Sequence, residues 1–202
     1  MASSDDGQRE RSGIVSRKTN ETEVRVAVHL DGSGRVAVQT GLPFLDHMLA
    51  AFAVHARIDL EVRASGDLEV DDHHTVEDVG LCIGEAMREA IGERRGIRRF
   101  GTGFAPLDEA LARVVVDISN RPCAFVNLAL RREKIGYVAT ENLTHFFLSL
   151  ASAARVTLHV DVLRGENDHH KIEAAMKAMA LAFREAWSRD GEDRVPSSKG
   201  VL

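Results

Sequence analysis

The sequence of 202 residues repeats itself at a spacing close to half its length. Five residues of the first half return in the same order 98 positions later: Leu45, His47, Arg57, Leu60 and Val62 recur as Leu143, His145, Arg155, Leu158 and Val160. Another group returns 96 positions later: Asp72, His73, His74 and Glu77 recur as Asp168, His169, His170 and Glu173. A repeat of this length predicts two copies of one structural unit, packed together as a single domain.

Hydrophobic patterning predicts the same kinds of element in both halves. In the first half it predicts a β-hairpin over 24–30 and 36–38, a helix over 42–54, a strand over 57–62 and a helix over 72–91 that Asp72 caps. In the second half it predicts strands over 111–118, 123–130 and 155–163 and helices over 140–154 and 168–187. We therefore expect an α+β fold, an internally duplicated two-layer α/β sandwich with its sheets packed on helices.

These patterns also suggest boundaries along the chain. Residues 1–12 are polar and are expected to form a flexible arm. The single domain is expected to span 13–202, with repeats over about 13–95 and 96–190 and a C-terminal tail over 191–202.

Composition argues against several classes of protein. The formal net charge is −5, so we expect no nucleic-acid partner, which would need a basic surface. No apolar stretch approaches the roughly 18 residues of a membrane span, and the N-terminus lacks a hydrophobic signal core, so we expect no membrane partner. Cys82 and Cys123 form no C-x-x-C pair, which favours a reducing compartment. The expected location is cytoplasmic.

Nine histidines are the most unusual feature of the composition. Positions three or four apart share a helix face, so Glu77 can join His73 or His74 at a metal ion, whereas the adjacent histidines point about 100° apart. The simplest arrangement that uses both histidines places them at two different metals, and His47 and His145 would each add one imidazole. The sequence leaves open which histidine serves which metal.

The predicted ligand set has three imidazoles and one carboxylate for each of two metals. Its eight members are His47, His73, His74, Glu77, His145, His169, His170 and Glu173. An octahedral ion with four protein ligands keeps two positions open for substrate or water, as in a catalytic site.

Five segments resemble those of the imidazoleglycerol-phosphate dehydratase family: LPFLDHML (42–49), GDLEVDDHHTVEDVG (66–80), RRGIRRFG (94–101), GENDHHKIEA (165–174) and VPSSKGVL (195–202). The resemblance extends over 16–202. It implies a fold similar to ribosomal protein S5 domain 2, two Mn²⁺ ions per active site, and a homo-oligomer in which trimers assemble into a 24-subunit cage with metal sites between subunits. It also places the eight predicted ligands on the family's metal-ligand positions.

The same resemblance implies substrate contacts at Glu21, Arg99, Arg121, Ser198 and Lys199. His55, which lies eight residues after His47 and about two turns along the same helix face, and Lys177 are further candidate substrate contacts. Glu21 falls on the family's acid–base carboxylate, and Arg99 and Arg121 fall on contacts to the substrate phosphate. Ser198 and Lys199 belong to the family's substrate-binding C-terminal tail.

The implied reaction is the metal-dependent dehydration of D-erythro-imidazoleglycerol phosphate to imidazole acetol phosphate in histidine biosynthesis. It would run through a metal-bound imidazolate, with Glu21 removing a carbon proton. Ligand type does not select manganese, because imidazole-rich sites bind zinc, cobalt or nickel more tightly. Two alternatives remain at this point: a two-metal phosphate-ester hydrolase and a catalytically inactive scaffold that metals assemble.

Overall fold

The computed structural model describes residues 10–202, so residues 1–9 of the predicted arm lie outside the described part of the chain. The arm prediction is wrong at Arg11 and Ser12. Arg11 donates a hydrogen bond from Nε to Oδ2 of Asp31 at 2.8 Å, and Ser12 begins the first β-strand. Both residues therefore belong to the folded domain.

Over residues 10–202 the chain forms ten strands and four helices in an order that repeats. The first half contains β1 (Ser12–Lys18), β2 (Thr22–His29), β3 (Val36–Gln39), α1 (Pro43–Ala56), β4 (Asp59–Gly66) and α2 (His73–Ile91). The second half contains β5 (Phe100–Leu107), β6 (Ala110–Asp117), β7 (Cys123–Asn127), β8 (Lys134–Ile135), β9 (Val138–Ala139), α3 (Thr140–Ala154), β10 (Thr157–Arg164) and α4 (Asp168–Ala186). The short pair β8–β9 is the one addition to the second half.

Each half forms a four-stranded sheet of the same topology. The strand order is β1-β2-β4-β3 in the first sheet and β5-β6-β10-β7 in the second. In both sheets one edge strand, β3 or β7, is parallel to its neighbour and the remaining pairs are antiparallel. The α+β prediction, with two sheets packed on helices, is confirmed.

The helices form the interior between the two sheets. Helices α1 and α2 pack on the first sheet, and α3 and α4 pack on the second. The halves meet where α1 packs on α4 and α2 packs on α3; Phe52 of α1 contacts Phe183 of α4, with ring centroids 6.4 Å apart. Across residues 10–202, none of the helices combines the length and the apolar character needed to cross a bilayer.

The predicted hairpin over 24–30 and 36–38 is wrong, because β4 lies between β2 and β3. The connection between them is held over the start of β4 by Asp59. Its Oδ1 accepts a hydrogen bond from the Ser33 N–H at 2.8 Å, and its Oδ2 accepts from the Arg35 guanidinium at 2.6 Å. The chain therefore passes over the end of β4 and does not turn back directly on β2.

The sequence does not predict β1 and β5, because glycines occupy much of their inward-facing side. A Cβ at Gly101 would lie 1.9 Å from the carbonyl oxygen of Ala182 in α4, and one at Gly13 would lie 2.0 Å from that of Ala86 in α2. The absence of side chains lets the helix backbones approach these strands. Hydrophobic alternation cannot reveal a strand of this kind.

Asp72 occupies the N-cap position of α2, as predicted, but its side chain makes no capping hydrogen bond. The Asp72 carboxylate accepts a hydrogen bond from the Ala139 N–H at 2.9 Å, and Oδ1 of Asp71 accepts from the His73 N–H at 2.8 Å. Helix α4 has a side-chain cap, which is supplied by Asn167. Both helices therefore begin with a polar side chain that fixes the backbone at the first histidine.

Candidate metal and substrate site

The fold brings the predicted imidazoles to one end of the helices. Helices α1 and α2 follow β3 and β4, which are parallel, so both helices begin at the same edge of the first sheet. In the second half, α4 follows β10 directly, and α3 follows its parallel neighbour β7 after the short pair β8–β9. His47 and His145 lie in the first two turns of α1 and α3, and the adjacent histidine pairs open α2 and α4.

The first cluster consists of His47, His169 and Glu173. The Nε2 atoms of the two histidines lie 3.2 and 3.3 Å from Oε2 of Glu173, and one potential ligand atom from each residue lies within 4.8 Å of the others. Two imidazoles and one carboxylate at this spacing fit a single divalent transition-metal ion.

Lys177 contacts this first cluster through its carboxylate. The ammonium donates to Oε1 of Glu173 at 2.6 Å. Burial raises the pKa of Glu173, but the hydrogen bond and charge of Lys177, together with His47, outweigh burial and hold that pKa below its ordinary value. Glu173 is thus kept as a carboxylate that faces the two histidines.

The second cluster consists of His73, Glu77 and His145. Nε2 of His73 lies 3.3 Å from Oε2 of Glu77, and the His145 ring centroid lies 4.9 Å from that of His73. Oδ1 of Asn142 is 2.9 Å from Nδ1 of His73. An acceptor at this nitrogen favours a proton on Nδ1 and leaves the lone pair of Nε2 available for a metal.

His74 and His170 turn away from these clusters. The His74 ring is nearly perpendicular to that of His73, with centroids 6.0 Å apart, and His170 has the same relation to His169 at 6.2 Å. A single chain therefore brings two imidazoles and one carboxylate to each cluster. The third imidazole predicted for each metal is not among them.

Carboxylates hold Nδ1 of both diverging histidines. Oδ2 of Asp67 lies 3.1 Å from Nδ1 of His74, and Oε2 of Glu109 lies 2.8 Å from Nδ1 of His170. These hydrogen bonds raise the pKa of both imidazoles. Oε1 of Glu109 accepts two backbone N–H groups of the loop before α4, the shorter at 2.8 Å from Asn167. The backbone donors and His170 lower the pKa of Glu109 to about 2.

Glu21, the predicted acid–base residue, lies beside His74 at the turn between β1 and β2. Its Oε2 is 3.8 Å from Nδ1 of His74, and its side chain is 56% exposed. Within residues 10–202 its carboxylate accepts no hydrogen bond from the protein. Glu21 can therefore accept a proton from a bound molecule without first breaking a hydrogen bond.

Arg99 and Arg121 lie together at the other end of the second sheet. Nε of Arg99 donates to Oδ1 of Asp117 at 2.7 Å, and the Arg121 guanidinium lies 3.6 Å from the same carboxylate. Arg99 is largely buried, whereas the Arg121 side chain is 67% exposed. The two predicted phosphate contacts therefore share one anchoring carboxylate.

The C-terminal tail lies against this arginine pair. The carbonyl of Pro196 accepts a hydrogen bond from the Arg99 guanidinium at 2.9 Å, and the carbonyl of Leu202 accepts from Nδ2 of Asn120 at 3.1 Å. Ser198 and Lys199, which lie between these two contacts, are exposed.

The arginine pair and the histidine clusters are about one helix length apart. The Arg99 N–H bonds to the carbonyl of Ala186, the last residue of α4, whereas His169 is the second residue of that helix. A rise of about 1.5 Å per residue separates them by about 25 Å along the axis. His55 is exposed and lies about 12 Å beyond His47 along α1, so it does not join the clusters of its own chain.

Comparison with known proteins identifies the family. A family model described as "Imidazoleglycerol-phosphate dehydratase" matches residues 40–183. The chain belongs to the imidazoleglycerol-phosphate dehydratase family. The imidazoleglycerol-phosphate dehydratase of Eremothecium gossypii is 54% identical, over 94% of this chain and 96% of its own length. The imidazoleglycerol-phosphate dehydratase of Saccharomyces cerevisiae is 49% identical, over 96% of this chain and 99% of its own length.

Solved structures of two imidazoleglycerol-phosphate dehydratases share the fold. The crystal structure from Staphylococcus aureus has a TM-score of 0.79 and 38% identity, covering 88% of this chain and 99% of that chain. The structure from Pyrococcus furiosus was solved in complex with (S)-C348. It has a TM-score of 0.81 and 39% identity, covering 93% of this chain and 100% of that chain.

The family membership decides between the functions that the sequence left open. The chain is a hydro-lyase that dehydrates imidazoleglycerol phosphate in histidine biosynthesis, as the resemblance implied. The comparisons give no support to the alternatives of a phosphate-ester hydrolase or an inactive scaffold.

Among residues 10–202 of this dehydratase, three that hydrogen-bond the side chain of a predicted histidine ligand are not predicted from the sequence: Asp67, Glu109 and Asn142. A signal exists for one of them. Glu109 immediately precedes β6 as Glu21 immediately precedes β2, so extending the internal repeat to these strands would find it. Asp67 and Asn142 have no equivalent in the other half, and their roles depend on the folded geometry.

Proposed function

We propose that the two clusters hold two divalent metal ions per active site, with Mn²⁺ suggested by the family resemblance. Each cluster supplies two imidazoles and one carboxylate, a donor set that fits such an ion. His74 and His170 have Nδ1 held by a carboxylate, which leaves Nε2 available. Either histidine could complete a cluster of a neighbouring chain, giving three imidazoles and one carboxylate per metal.

A complete active site then needs more than one chain. The histidine clusters and the arginine pair lie about 25 Å apart along α4. The imidazole and phosphate of the substrate are joined by three carbons and span roughly 10 Å at most. One substrate therefore cannot reach both groups within one chain, which supports an active site shared between chains.

The oligomer we propose is the family's cage, in which trimers assemble into 24 subunits. The outer face of the second sheet supports association with other copies. Phe100, Phe104 and Phe125 are 57%, 53% and 62% exposed there, and an exposed apolar group of this kind is typical of a protein interface. We also propose a cytoplasmic location, which the unpaired Cys82 and Cys123 support.

The chain's own residues divide the work of the reaction. When bound, a divalent cation stabilises negative charge on the substrate's imidazole ring. The hydroxyl on the carbon next to the ring takes up a proton and departs as water, while Glu21 takes the proton from the next carbon, which keeps its hydroxyl; the enol that forms becomes the ketone. Arg121 and Lys199, which are exposed, bind the phosphate, and Asp117 fixes the guanidinium of Arg99 beside them. His55, Lys177 and Ser198 are the remaining proposed substrate contacts.

The test of this assignment is Glu21→Gln in the intact oligomer. We expect unchanged metal content and particle size, with kcat reduced by about 10²–10⁴ because the proton acceptor is lost. Glu23→Gln is the matched control, since Glu23 is similarly exposed on the adjoining strand and pairs with Lys18; it should keep its turnover. Turnover close to that of the native enzyme in Glu21→Gln would remove Glu21 from the mechanism.

A further inference from the structure

The duplicated chain carries one carboxylate position twice, with different surroundings in each half. Glu21 and Glu109 immediately precede equivalent strands. These strands pair in the same register in both sheets from Ala112–Val162 onward, whereas the register of β10 shifts between Val162 and Arg164, at the end nearest Glu109. Each lies beside the second histidine of its pair. Glu21 is 3.8 Å from Nδ1 of His74 and makes no hydrogen bond to it, whereas Glu109 is bonded to Nδ1 of His170 at 2.8 Å.

The residue after the last strand of each half explains the difference. Asp67 directly follows β4, and its Oδ2 forms a hydrogen bond with Nδ1 of His74 at 3.1 Å. Gly165 directly follows β10 and has no side chain to make this contact. Its φ is +156°, and a Cβ there would lie 2.8 Å from Cγ of Lys171. The second half therefore has no room for an equivalent of Asp67.

We infer that the duplication has divided one carboxylate position into two roles. Glu109 is a positioning residue that fixes His170 with its proton on Nδ1 and its Nε2 available to a metal. Asp67 positions His74 in the same way and leaves Glu21 free to move the substrate proton. The inference rests on the proposed function, in which His74 and His170 are ligands and Glu21 is the acid–base residue.

The surroundings of the two glutamates fit these roles. Oε1 of Glu109 accepts hydrogen bonds from two backbone N–H groups, and Oε2 accepts one from Nδ1 of His170. Both oxygens are therefore already hydrogen-bonded within the protein. Glutamine at this position has one acceptor oxygen for these two sets of donors, and its amide group would face a donor. Glu109→Gln should therefore disturb His170, although it preserves the size of the side chain.

The first experiment measures Mn²⁺ affinity by chelator competition and turnover at saturating Mn²⁺. We expect Glu109→Gln to bind Mn²⁺ 10–100-fold more weakly, as is usual when a residue that orients a ligand is lost, and to regain kcat within about threefold when Mn²⁺ is saturating. Glu21→Gln should show the opposite split, with native Mn²⁺ affinity and low kcat at every Mn²⁺ concentration. Glu166→Gln removes a charge from the same loop and is the control, with affinity unchanged.

The second experiment uses Asp67→Ala, which lets Glu21 move onto His74. Mn²⁺ affinity should fall by only about threefold, while kcat at saturating Mn²⁺ falls at least about tenfold because Glu21 is diverted from the substrate. Adding Glu21→Ala to Asp67→Ala should lower Mn²⁺ affinity to about the level of Glu109→Gln. The effects of Asp67 and Glu21 on affinity are therefore expected to be strongly coupled.

The outcomes separate this inference from the proposed function. Native Mn²⁺ affinity in Glu109→Gln, when His170→Ala lowers it, overturns the positioning role and leaves the proposed function intact. Native turnover in Glu21→Gln overturns the proposed function itself. If Glu109→Gln does not fold, the Asp67 and Glu21 variants still test the division, because additive effects on Mn²⁺ affinity overturn it.

Discussion

The second cluster and the first cluster present the same kinds of ligand, but different neighbours support them. In the second cluster, Asn142 holds Nδ1 of His73 by a hydrogen bond. The equivalent position in the first half is Phe44, which packs edge-on against His169 with centroids 5.2 Å apart. The histidines and glutamates of the two clusters are the same in both halves, whereas the side chains that contact them differ.

Charge differs between the clusters as well. Lys177 places an ammonium on the carboxylate of the first cluster, whereas its counterpart 96 positions earlier is Leu81. A positive charge beside one metal ligand weakens cation binding at that cluster relative to the other. The duplication therefore produces two clusters with the same kinds of side chain and unequal electrostatics, so variants in equivalent positions are expected to behave differently.

The largest difference is expected at the aspartates that precede the paired histidines. Asp168 is buried with Lys171, to which it bonds at 2.8 Å, whereas the position of Lys171 is taken by Thr75 in the first half. Asp168→Ala leaves the ammonium buried without its partner and should destabilise the protein by about 3–5 kcal/mol. Asp72→Ala should cost about 1–3 kcal/mol, because it orphans one backbone N–H.

Chemical denaturation of the assembled protein measures both effects. The double variant Asp168→Ala with Lys171→Met is the control, and it should recover part of the lost stability because no unpaired charge remains. Equal destabilisation by Asp72→Ala and Asp168→Ala would contradict the difference between the two halves.

An intermediate effect is expected where the ligand supports differ. Asn142→Leu removes the acceptor at His73 and should weaken Mn²⁺ binding at one of two sites by about tenfold. Phe44→Leu keeps an apolar contact with His169 and should change affinity by less than about threefold. Calorimetric titration with Mn²⁺ resolves the two sites, and equal losses in both variants would show that the hydrogen bond to His73 does not orient it.

The smallest effect is expected at the loops that cross the ends of β4 and β10. Asp59 anchors the first loop, and the hydrogen bond from Arg35 holds its pKa well below its ordinary value. Its equivalent, Thr157, anchors the second loop through neutral hydrogen bonds with Ser119 and Arg121. Only the first anchor is therefore sensitive to pH.

The sign of this pH dependence follows from the lowered pKa of Asp59. Its stabilisation is fully present above the unfolded-state value of about 4 and is lost as the pH falls through the lower value of the folded state. Asp59→Asn should lower the melting temperature by no more than about 4 °C at neutral pH, and this difference should shrink below about pH 4. Thr157→Val is the control, and its effect should not vary with pH in this range.

The two halves also differ in which of their features are visible in the sequence. The paired histidines, their glutamates and the order of helices are visible because the repeat preserves residue types. The strand order is not visible in the sequence. Strand β3 pairs with β4, and β7 pairs with β10, and the place of β4 and β10 in each sheet depends on long-range contacts. Strand β5 is hidden by Gly101 and Gly103, which carry no hydrophobic signal although they make the closest approach to α4.

The supports of the site are the hardest part to predict. Asp67 and Asn142 are ordinary polar residues in the sequence, and each acquires its role only when the fold places it against a histidine. Asn142 contacts His73, which is 69 positions away along the chain, so no local spacing connects the two. The internal repeat gives no signal for Asn142 either, because its equivalent position is occupied by Phe44.

The separation of the arginine pair from the histidine clusters implies that a complete active site draws on more than one chain. Mixed oligomers of Glu21→Gln and Arg121→Ala test it directly, with turnover measured at low substrate concentration after the two variants are dissociated and reassembled together. If the two residues serve one site from different chains, about one quarter of the sites in a random equal mixture carry both native residues. We predict that the mixture is clearly more active than either variant alone. Activity no higher than that of the separate variants would show that Glu21 and Arg121 do not serve one site from different chains.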